Sequence, residues 1–265
     1  MLIAQITDTH VGLPGELTGG VIDTAACLQR CVQRVAALEP APDLVVLTGD
    51  LVDRGSEAEY ARLRELLAGL PCPYLLMPGN HDERGAMRRS FADHAYLGGF
   101  DEFVQFEHDQ GPLRLLALDT VVPGRTHGAL CARRLAWLSQ RLAEQPRRPT
   151  LVLMHHPPFA TGIGWMDRYG LLQGAPELAA IVATHPQVER VLCGHLHRPI
   201  QARFAGTLAS TCPSPAHQIP LELVPAGVER FVLEPPGYQL HRWADGLLVT
   251  HTAVIGDWPG PYRFD

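Results

Sequence analysis

Five apolar runs in this chain each end on side chains able to bind metal, and that coupling restricts the fold more than any other feature. Leu2-Ile3-Ala4-Gln5-Ile6 leads into Asp8 and His10, and Leu44-Val45-Val46-Leu47 leads into Asp50. Tyr74-Leu75-Leu76-Met77 leads into Asn80, Leu151-Val152-Leu153-Met154 into His155 and His156, and Val191-Leu192-Cys193 into His195 and His197. Short apolar runs closed by glycine and polar residues read as buried strands. In open α/β sheets ligands sit beyond the carboxyl ends of the strands, so the five runs are expected to bring their donors to one rim. On an extended backbone, period-two geometry puts Asp8 with His10, and His195 with His197, on common sides. Gly49, Gly79 and Gly194 each precede a donor, where positive φ or close backbone approach is needed.

Between the strands lie segments of helical periodicity, Asp23 to Leu38, Ser56 to Leu70, Arg133 to Glu144 and Pro176 to Thr184. Ser56-Glu57-Ala58-Glu59 matches a capping box that starts the second of these. The alternation is βαβ grammar. Glu102 to Glu107 and Leu113 to Leu118, around Asp109-Gln110-Gly111, read as a hairpin leading into a second half-sheet. After Cys212 the pattern turns all-β, with strands expected at Val228 to Leu233, Tyr238 to Trp243 and Leu247 to Val254. We therefore expect a catalytic domain over 1–212 and a C-terminal β segment over 213–265 that completes the sheet, or forms a cap or dimer contact. Pro157 to Gly174, with Trp165 and Tyr169, reads as a substrate-facing loop.

At 265 residues the chain can bury a large core, and 46% hydrophobic content fits an ordinary globular protein. A net charge of −6 argues against a duplex nucleic acid partner, which needs a basic face. The N-terminus enters a strand directly, and no apolar run reaches the roughly 18 residues of a membrane span. These features predict a cytoplasmic protein without membrane contact. The six cysteines lack CxxC spacing and read as reduced core thiols.

Asp8, His10, Asp50, Asn80, His156, His195 and His197 offer carboxylate, amide and imidazole donors, a mixture suited to borderline divalent metals, and no thiolate. If one carboxylate is shared, seven residues supply two sets of four and leave positions for water and substrate. The pattern predicts a two-metal hydrolase.

The ordered motifs D-x-H, GD-x-x-D, GNHD, H and GH-x-H span Asp8 to His197. In this the chain resembles the calcineurin-like metallophosphoesterases, in particular the class III cyclic nucleotide phosphodiesterase and bacterial glycerophosphodiesterase branch. The resemblance implies a four-layer α-β-β-α sandwich with two mixed sheets. It implies Asp8, His10, Asp50 and His197 around one metal, and Asp50, Asn80, His156 and His195 around the other, with Asp50 as bridge. Iron, manganese, zinc or cobalt would fill the sites. Two divalent cations, less the charges of Asp8, Asp50 and a bridging hydroxide nucleophile, leave a single positive charge that suits a phosphodiester monoanion. His81 corresponds to the family's phosphate contact and proton donor, with Asn80 and His217 also on the substrate side, and Asp53 or Asp82 are placed to orient an imidazole. Strand alternation turns His155 and His156 to opposite sides; the resemblance selects His156 as ligand and leaves His155 to packing or to a place behind the ligands.

The expected reaction is hydrolysis of a small anionic phosphodiester, a cyclic nucleotide such as 3',5'-cyclic AMP or a glycerophosphodiester, by a homo-oligomer, dimer or higher. The alternatives are a phosphomonoesterase or protein phosphatase of the same superfamily, or an inactive binding module. A purple acid phosphatase needs tyrosine where this chain has Asp53. Arg54 reads as solvated, and Trp165 with Tyr169 as a base-stacking platform or as local packing.

Overall fold

The computed structural model describes residues 1–100 and 102–264. It has thirteen strands and six α-helices among the described residues. Strand β1 (Leu2–Ile6), helix α1 (Thr24–Ala36), β2 (Leu44–Thr48), α2 (Glu57–Leu67) and β3 (Tyr74–Met77) form a parallel βαβαβ run. A short helix, α3 (Arg84–Ser90), follows, and then the antiparallel hairpin of β4 (Phe106–Gln110) and β5 (Leu113–Leu118). The chain continues through β6 (Gly128–Ala129), α4 (Ala132–Glu144), β7 (Thr150–Met154), α5 (Gly164–Asp167), β8 (Leu171–Gln173), α6 (Ala175–Ala183) and β9 (Val188–Cys193). It ends with β10 (Gln201–Phe204), β11 (Thr207–Thr211), β12 (Gly237–Ala244) and β13 (Leu247–Val254).

Two mixed sheets result, ordered β13-β12-β1-β2-β3 and β10-β11-β9-β7-β5-β4, with β6 and β8 forming a small parallel pair. They form the inner layers of an α-β-β-α sandwich. Ile3, Ile6, Leu44, Leu47, Leu116, Val152 and Leu192 are all within 1% of full burial, so the core runs continuously through both sheets. Burying each such side chain contributes roughly 1.5–3 kcal/mol. Polar bridges also cross between the sheets: the Gln5 side-chain amide donates to Thr48 Oγ1 at 2.9 Å and to the Cys193 carbonyl of the opposite sheet at 3.0 Å.

Local chemistry explains the element boundaries. Asp23 caps α1 by accepting from the Ala26 N–H at 3.0 Å. The capping box forms at α2, where Ser56 Oγ accepts from Glu59 N–H at 3.3 Å and Glu59 Oε2 accepts from Ser56 N–H at 2.9 Å. Tyr60, Leu63 and Leu67 of that helix are buried.

Three expectations shift. The strand foreseen at Glu102 to Glu107 starts instead at Phe106, because the Val104 N–H is taken by the Asp119 carboxylate at 2.8 Å. Val228 to Leu233 forms no strand and keeps only a bridge from Val232 to Gln218. Pro157 to Gly174 holds α5 and β8 rather than loop alone. The β12–β13 hairpin joins the first sheet beside β1, with Ile3 opposite His241.

What matters for the site is direction. β1, β2 and β3 run parallel in one sheet, and β5, β7 and β9 run parallel in the other. The carboxyl ends of five of these strands open onto one rim.

Candidate metal centre

At that rim the chain turns sharply. Asp8, His10, Asp50, His195 and His197 all take left-handed backbone conformations, with φ of 52°, 43°, 50°, 70° and 52°. Side chains other than glycine rarely occupy this region. Tight turns, not an extended period-two backbone, therefore bring Asp8 to His10 and His195 to His197. The turns after β1 and β2 brace each other: Asp8 N–H donates to the Gly49 carbonyl and His10 N–H to the Asp50 carbonyl, both at 3.0 Å. Gly49 is itself left-handed at φ 92°. Gly79 and Gly194 serve close approach instead, since a Cβ would sit 2.3 Å from Asp50 Oδ1 at Gly79 and 2.1 Å from Thr7 Oγ1 at Gly194.

Asp50 lies at the hub of the donors. Its Oδ2 is 3.7 Å from His10 Nε2 on one side and 3.3 Å from His155 Nε2 on the other, while Oδ1 accepts from the His81 N–H at 2.9 Å. Beyond His10, the His197 Nε2 lies 3.2 Å from His10 Nε2 and 3.4 Å from Asp8 Oδ1. Asp8 also receives the His195 N–H at 3.0 and 2.9 Å, which ties the first strand end to the fifth.

The histidine pair is arranged differently from the expectation. His155 Nδ1 lies 2.8 Å from the Thr48 carbonyl, which can only accept, so Nδ1 carries the proton and Nε2 faces Asp50. His156 has both nitrogens engaged, Nε2 with the Thr126 carbonyl at 2.9 Å and Nδ1 with Thr120 Oγ1 at 2.8 Å. The carbonyl fixes the proton on Nε2, and the threonine hydroxyl then donates to Nδ1. Although a nitrogen of His156 lies within 4.8 Å of those of His155 and His195, no lone pair is left for a cation. The geometry thus turns His155 Nε2, rather than a nitrogen of His156, towards Asp50. Sequence alternation separates the two residues; the contacts that rank them come from distant segments, Thr48 at the end of β2 and Thr120 and Thr126 in the β5–β6 connection.

Electrostatics favours neutral imidazoles at His10, His156, His195 and His197, but not at His155. Burial, then the neighbouring His81, His156 and His217 respectively, hold His10, His195 and His197 well below the ordinary histidine range. Burial also depresses His156 to about 3, reinforced by His155. On Asp50 burial opposes the charge, but His155 and His81 overcome it and keep the carboxyl well below its usual value. Burial opposes the proton on His155 as well, yet Asp50 raises that ring to about 9. Burial lifts Asp8 to about 7 against the pull of His155.

Around the donors lies a cavity of about 400 Å³, lined among others by His10, Asp50, Asn80, His81, His195, His197 and His217. His81 Nδ1 donates to the Asp53 carbonyl at 2.7 Å, and its ring stands edge-on to His10 with centroids 4.6 Å apart. Burial works against charge on His81, but Asp50 and the Asp53 carbonyl raise its pKa above the ordinary value. The Asp53 carboxylate lies 4.0 Å from His10 Nδ1. Among the described residues Asp82 forms no hydrogen bond or ion pair with an imidazole; it accepts from Leu51 N–H at 3.1 Å, Gly79 N–H at 2.8 Å and Tyr60 Oη at 2.9 Å, joining two donor loops. The His217 carbonyl accepts from His197 Nδ1 at 3.0 Å. Arg54 is exposed and pairs with Glu16 at 3.2 Å and Asp53 at 3.6 Å. Trp165 is only 6% exposed and packs in a small cluster with Ile163, Met166, Leu196 and Ile219. Sequence reasoning missed Glu229, Arg230 and Phe231 on the cavity wall, which carry no motif.

Three buried polar atoms test whether cations fit. Asn80 Oδ1, His155 Nε2 and His195 Nε2 have no hydrogen-bond partner among the described residues. An orphaned buried acceptor costs about 1–3 kcal/mol, and a cation is the partner that an oxygen and two imidazole nitrogens around a carboxylate can share. Asp50 with His155, Asn80 and His195 suits one ion, and Asp8, His10, Asp50 and His197 suit another.

Residues 1–199 match the calcineurin-like phosphoesterase family. The chain belongs to that family. Within it, the chain is 35% identical over 270 residues to a probable glycerophosphodiester phosphodiesterase, GpdQ, of Arcobacter nitrofigilis, covering 100% of this chain and 97% of the relative. It is 32% identical over 258 residues to the 3',5'-cyclic adenosine monophosphate phosphodiesterase CpdA of Escherichia coli, covering 96% and 90%. A dimetal phosphatase structure from Danio rerio superposes with a TM-score of 0.71 at 14% identity, covering 96% of this chain and 98% of that one, which shows the shared fold. As a calcineurin-like phosphoesterase the chain is a hydrolase. No helix of its described residues is long and apolar enough to cross a membrane.

Proposed function

We propose that this protein is a binuclear metallophosphodiesterase that hydrolyses a small phosphodiester, with a glycerophosphodiester favoured over a cyclic nucleotide. The observation that carries the reading is the convergence of His10, Asp50, Asn80, His195 and His197 on one cavity, with Asp8 and His155 in contact behind them and donor atoms of Asn80, His155 and His195 left without partners. Asp50 is the bridge between two sets of ligands. Two bound cations would lower the pKa of water towards about 7 and polarise the phosphoryl oxygens.

The remaining steps belong to the chain. The Asp53 carbonyl fixes the proton on His81 Nδ1, so Nε2 is the nitrogen left to face the cavity. Protonated there, it donates to the departing alkoxide and accompanies the phosphate during displacement. Asn80 and His217 line the same space and orient the substrate. His217 is neutral at physiological pH because burial, with His81 nearby, lowers it to about 4.

Burial of Trp165 within its apolar cluster supports the glycerophosphodiester reading, since a ring packed on that side offers a nucleobase little free face. Relatives of both activities match the chain over more than nine-tenths of its length. Turnover of a glycerol phosphodiester against 3',5'-cyclic AMP, with manganese or iron supplied, tests the choice. A kcat/KM higher for the cyclic nucleotide reverses it, and inactivity on every phosphodiester removes the proposal.

A further inference from the structure

Gln5 lies in β1, fully buried, on the strand that leads into Asp8. Its amide is held in one orientation. The Cys193 carbonyl can only accept, so it fixes the amide nitrogen on its side, and Oε1 then accepts from His241 Nε2 at 3.0 Å. His241 Nδ1 accepts in turn from the Thr250 hydroxyl at 2.8 Å, and Arg190 donates to the Thr250 oxygen at 2.8 Å. The hydrogen bonds thus run in one direction from Arg190 to Gln5, and a flipped amide would set two donors against each other at His241.

The two acceptors of the amide nitrogen occupy matching places. Thr48 precedes Gly49 and Asp50 at the end of β2, and Cys193 precedes Gly194 and His195 at the end of β9. Asp50 and His195 suit one cation, yet no backbone ladder joins their strands, because β2 and β9 belong to different sheets. Apolar packing is non-directional, so it holds two sheets together without fixing how far one slides along the other. Hydrogen bonds of 2.9 and 3.0 Å from a single amide do fix it. Nearer the rim the sheets also meet where His195 N–H reaches Asp8 and His155 reaches the Thr48 carbonyl, contacts made by the donors themselves. Gln5 adds one that needs none of them. We infer that Gln5 is a positioning residue: it locks the end of β2 to the end of β9, so that Asp50 and His195 stand within reach of one cation before any cation binds. This rests on the reading of the rim as a metal centre.

Gln239 supplies the control. It sits opposite Gln5 in the β1–β12 pairing, is equally buried, and its amide also crosses between the sheets to the Thr211 carbonyl at 3.2 Å, but β11 leads into none of the seven donors. Gln5→Met and Gln239→Met each replace an amide with a thioether of similar size. Melting temperatures of the metal-free proteins and manganese affinities, measured by elemental analysis against a competing chelator, separate the two roles. Both variants melt lower than the native protein. Gln5→Met binds manganese about tenfold less tightly, as loss of its hydrogen bonds implies, while Gln239→Met keeps the native affinity. Where Gln5→Met does not fold, Thr48→Val decides: it removes one acceptor of the amide and weakens manganese about threefold. Native affinity in Gln5→Met, or in Thr48→Val where that variant decides, overturns the inference, as does an equal loss in Gln239→Met. Native protein that binds no manganese, iron, zinc or cobalt discards the metal-centre reading with it.

Discussion

His155 Nε2 stands 3.3 Å from the Asp50 carboxylate while its Nδ1 is pinned 2.8 Å from the Thr48 carbonyl. A main-chain carbonyl that fixes one imidazole proton leaves the other nitrogen aimed as a donor, the arrangement that orients metal-bound histidines in general. Both ring nitrogens of its neighbour His156 are instead hydrogen-bonded to Thr120 and Thr126.

The two histidines should therefore separate in a metal assay. After gel filtration of metal-loaded protein, His155→Ala is expected to lose most of one equivalent by elemental mass spectrometry. His156→Ala is expected to keep both ions and instead to lose about 1–3 kcal/mol of stability, as a buried, doubly bonded side chain is removed. The reverse pattern would restore His156 as the ligand.

His81 has a different signature. Its main-chain N–H holds Asp50 Oδ1 at 2.9 Å, and that bond survives truncation of the side chain. His81→Ala should therefore retain both metals while kcat falls by about a hundredfold, the usual size of a general acid's contribution. A leaving group that needs no proton, such as p-nitrophenolate, should lose much less. Equal losses for alkyl and nitrophenyl esters would deny His81 the proton-donor role.

How much of this was legible in the chain depends on whether the deciding contact was local. The five strand ends, the capping box at Ser56 and the hub position of Asp50 could be approached from apolar runs and motif order. The left-handed turns at Asp8, His10, Asp50, His195 and His197 could not, because aspartate and histidine, though enriched there relative to other non-glycine residues, still take positive φ only rarely. Nor could the choice between His155 and His156, which depends on threonines far away in the sequence. The Arg-rich α3 has too few apolar positions to show a helical period. The strand expected at Val228 to Leu233 fails for a tertiary reason: Phe231 turns inward against His217, with ring centroids 5.2 Å apart, and the segment serves as cavity wall instead of sheet.

Farther from the site, the protein's acid stability should depend on His241. The ring is fully buried between Gln5 Oε1 at 3.0 Å and Thr250 Oγ1 at 2.8 Å, and burial, aided by Arg190, lowers its pKa to about 3. In the unfolded chain it returns to about 6.5. Between these values the unfolded state binds the extra proton, so stability is fully present above pH 6.5 and falls as the pH drops towards 3. This one group contributes a slope of up to about 1.4 kcal/mol per pH unit. His241→Gln, which can keep one hydrogen bond, should be less stable than the native protein at pH 7.5, with the gap narrowing at pH 5 in urea unfolding. A gap independent of pH would mean that the ring titrates normally in the folded protein.

Metal removal should expose what the centre demands of the fold. Five left-handed residues each carry on the order of 1 kcal/mol of backbone strain, and the same turns crowd Asp8 and Asp50 with His10, His155, His195 and His197. Nothing in hydrophobic packing favours that arrangement, and the orphaned Asn80, His155 and His195 atoms add desolvation. Cations bind the folded form and so offset these terms, by about 2.7 kcal/mol per site when free metal exceeds Kd a hundredfold. Chelator-treated protein is therefore expected to melt several degrees lower and to recover progressively as manganese is titrated back, while Asp50→Ala, lacking the shared ligand, should show little of that dependence. A melting temperature that stays constant across the titration, with the metal-free chain as stable as the loaded one, would mean that the strained turns are maintained by packing alone and that the donors converge for some purpose other than holding cations.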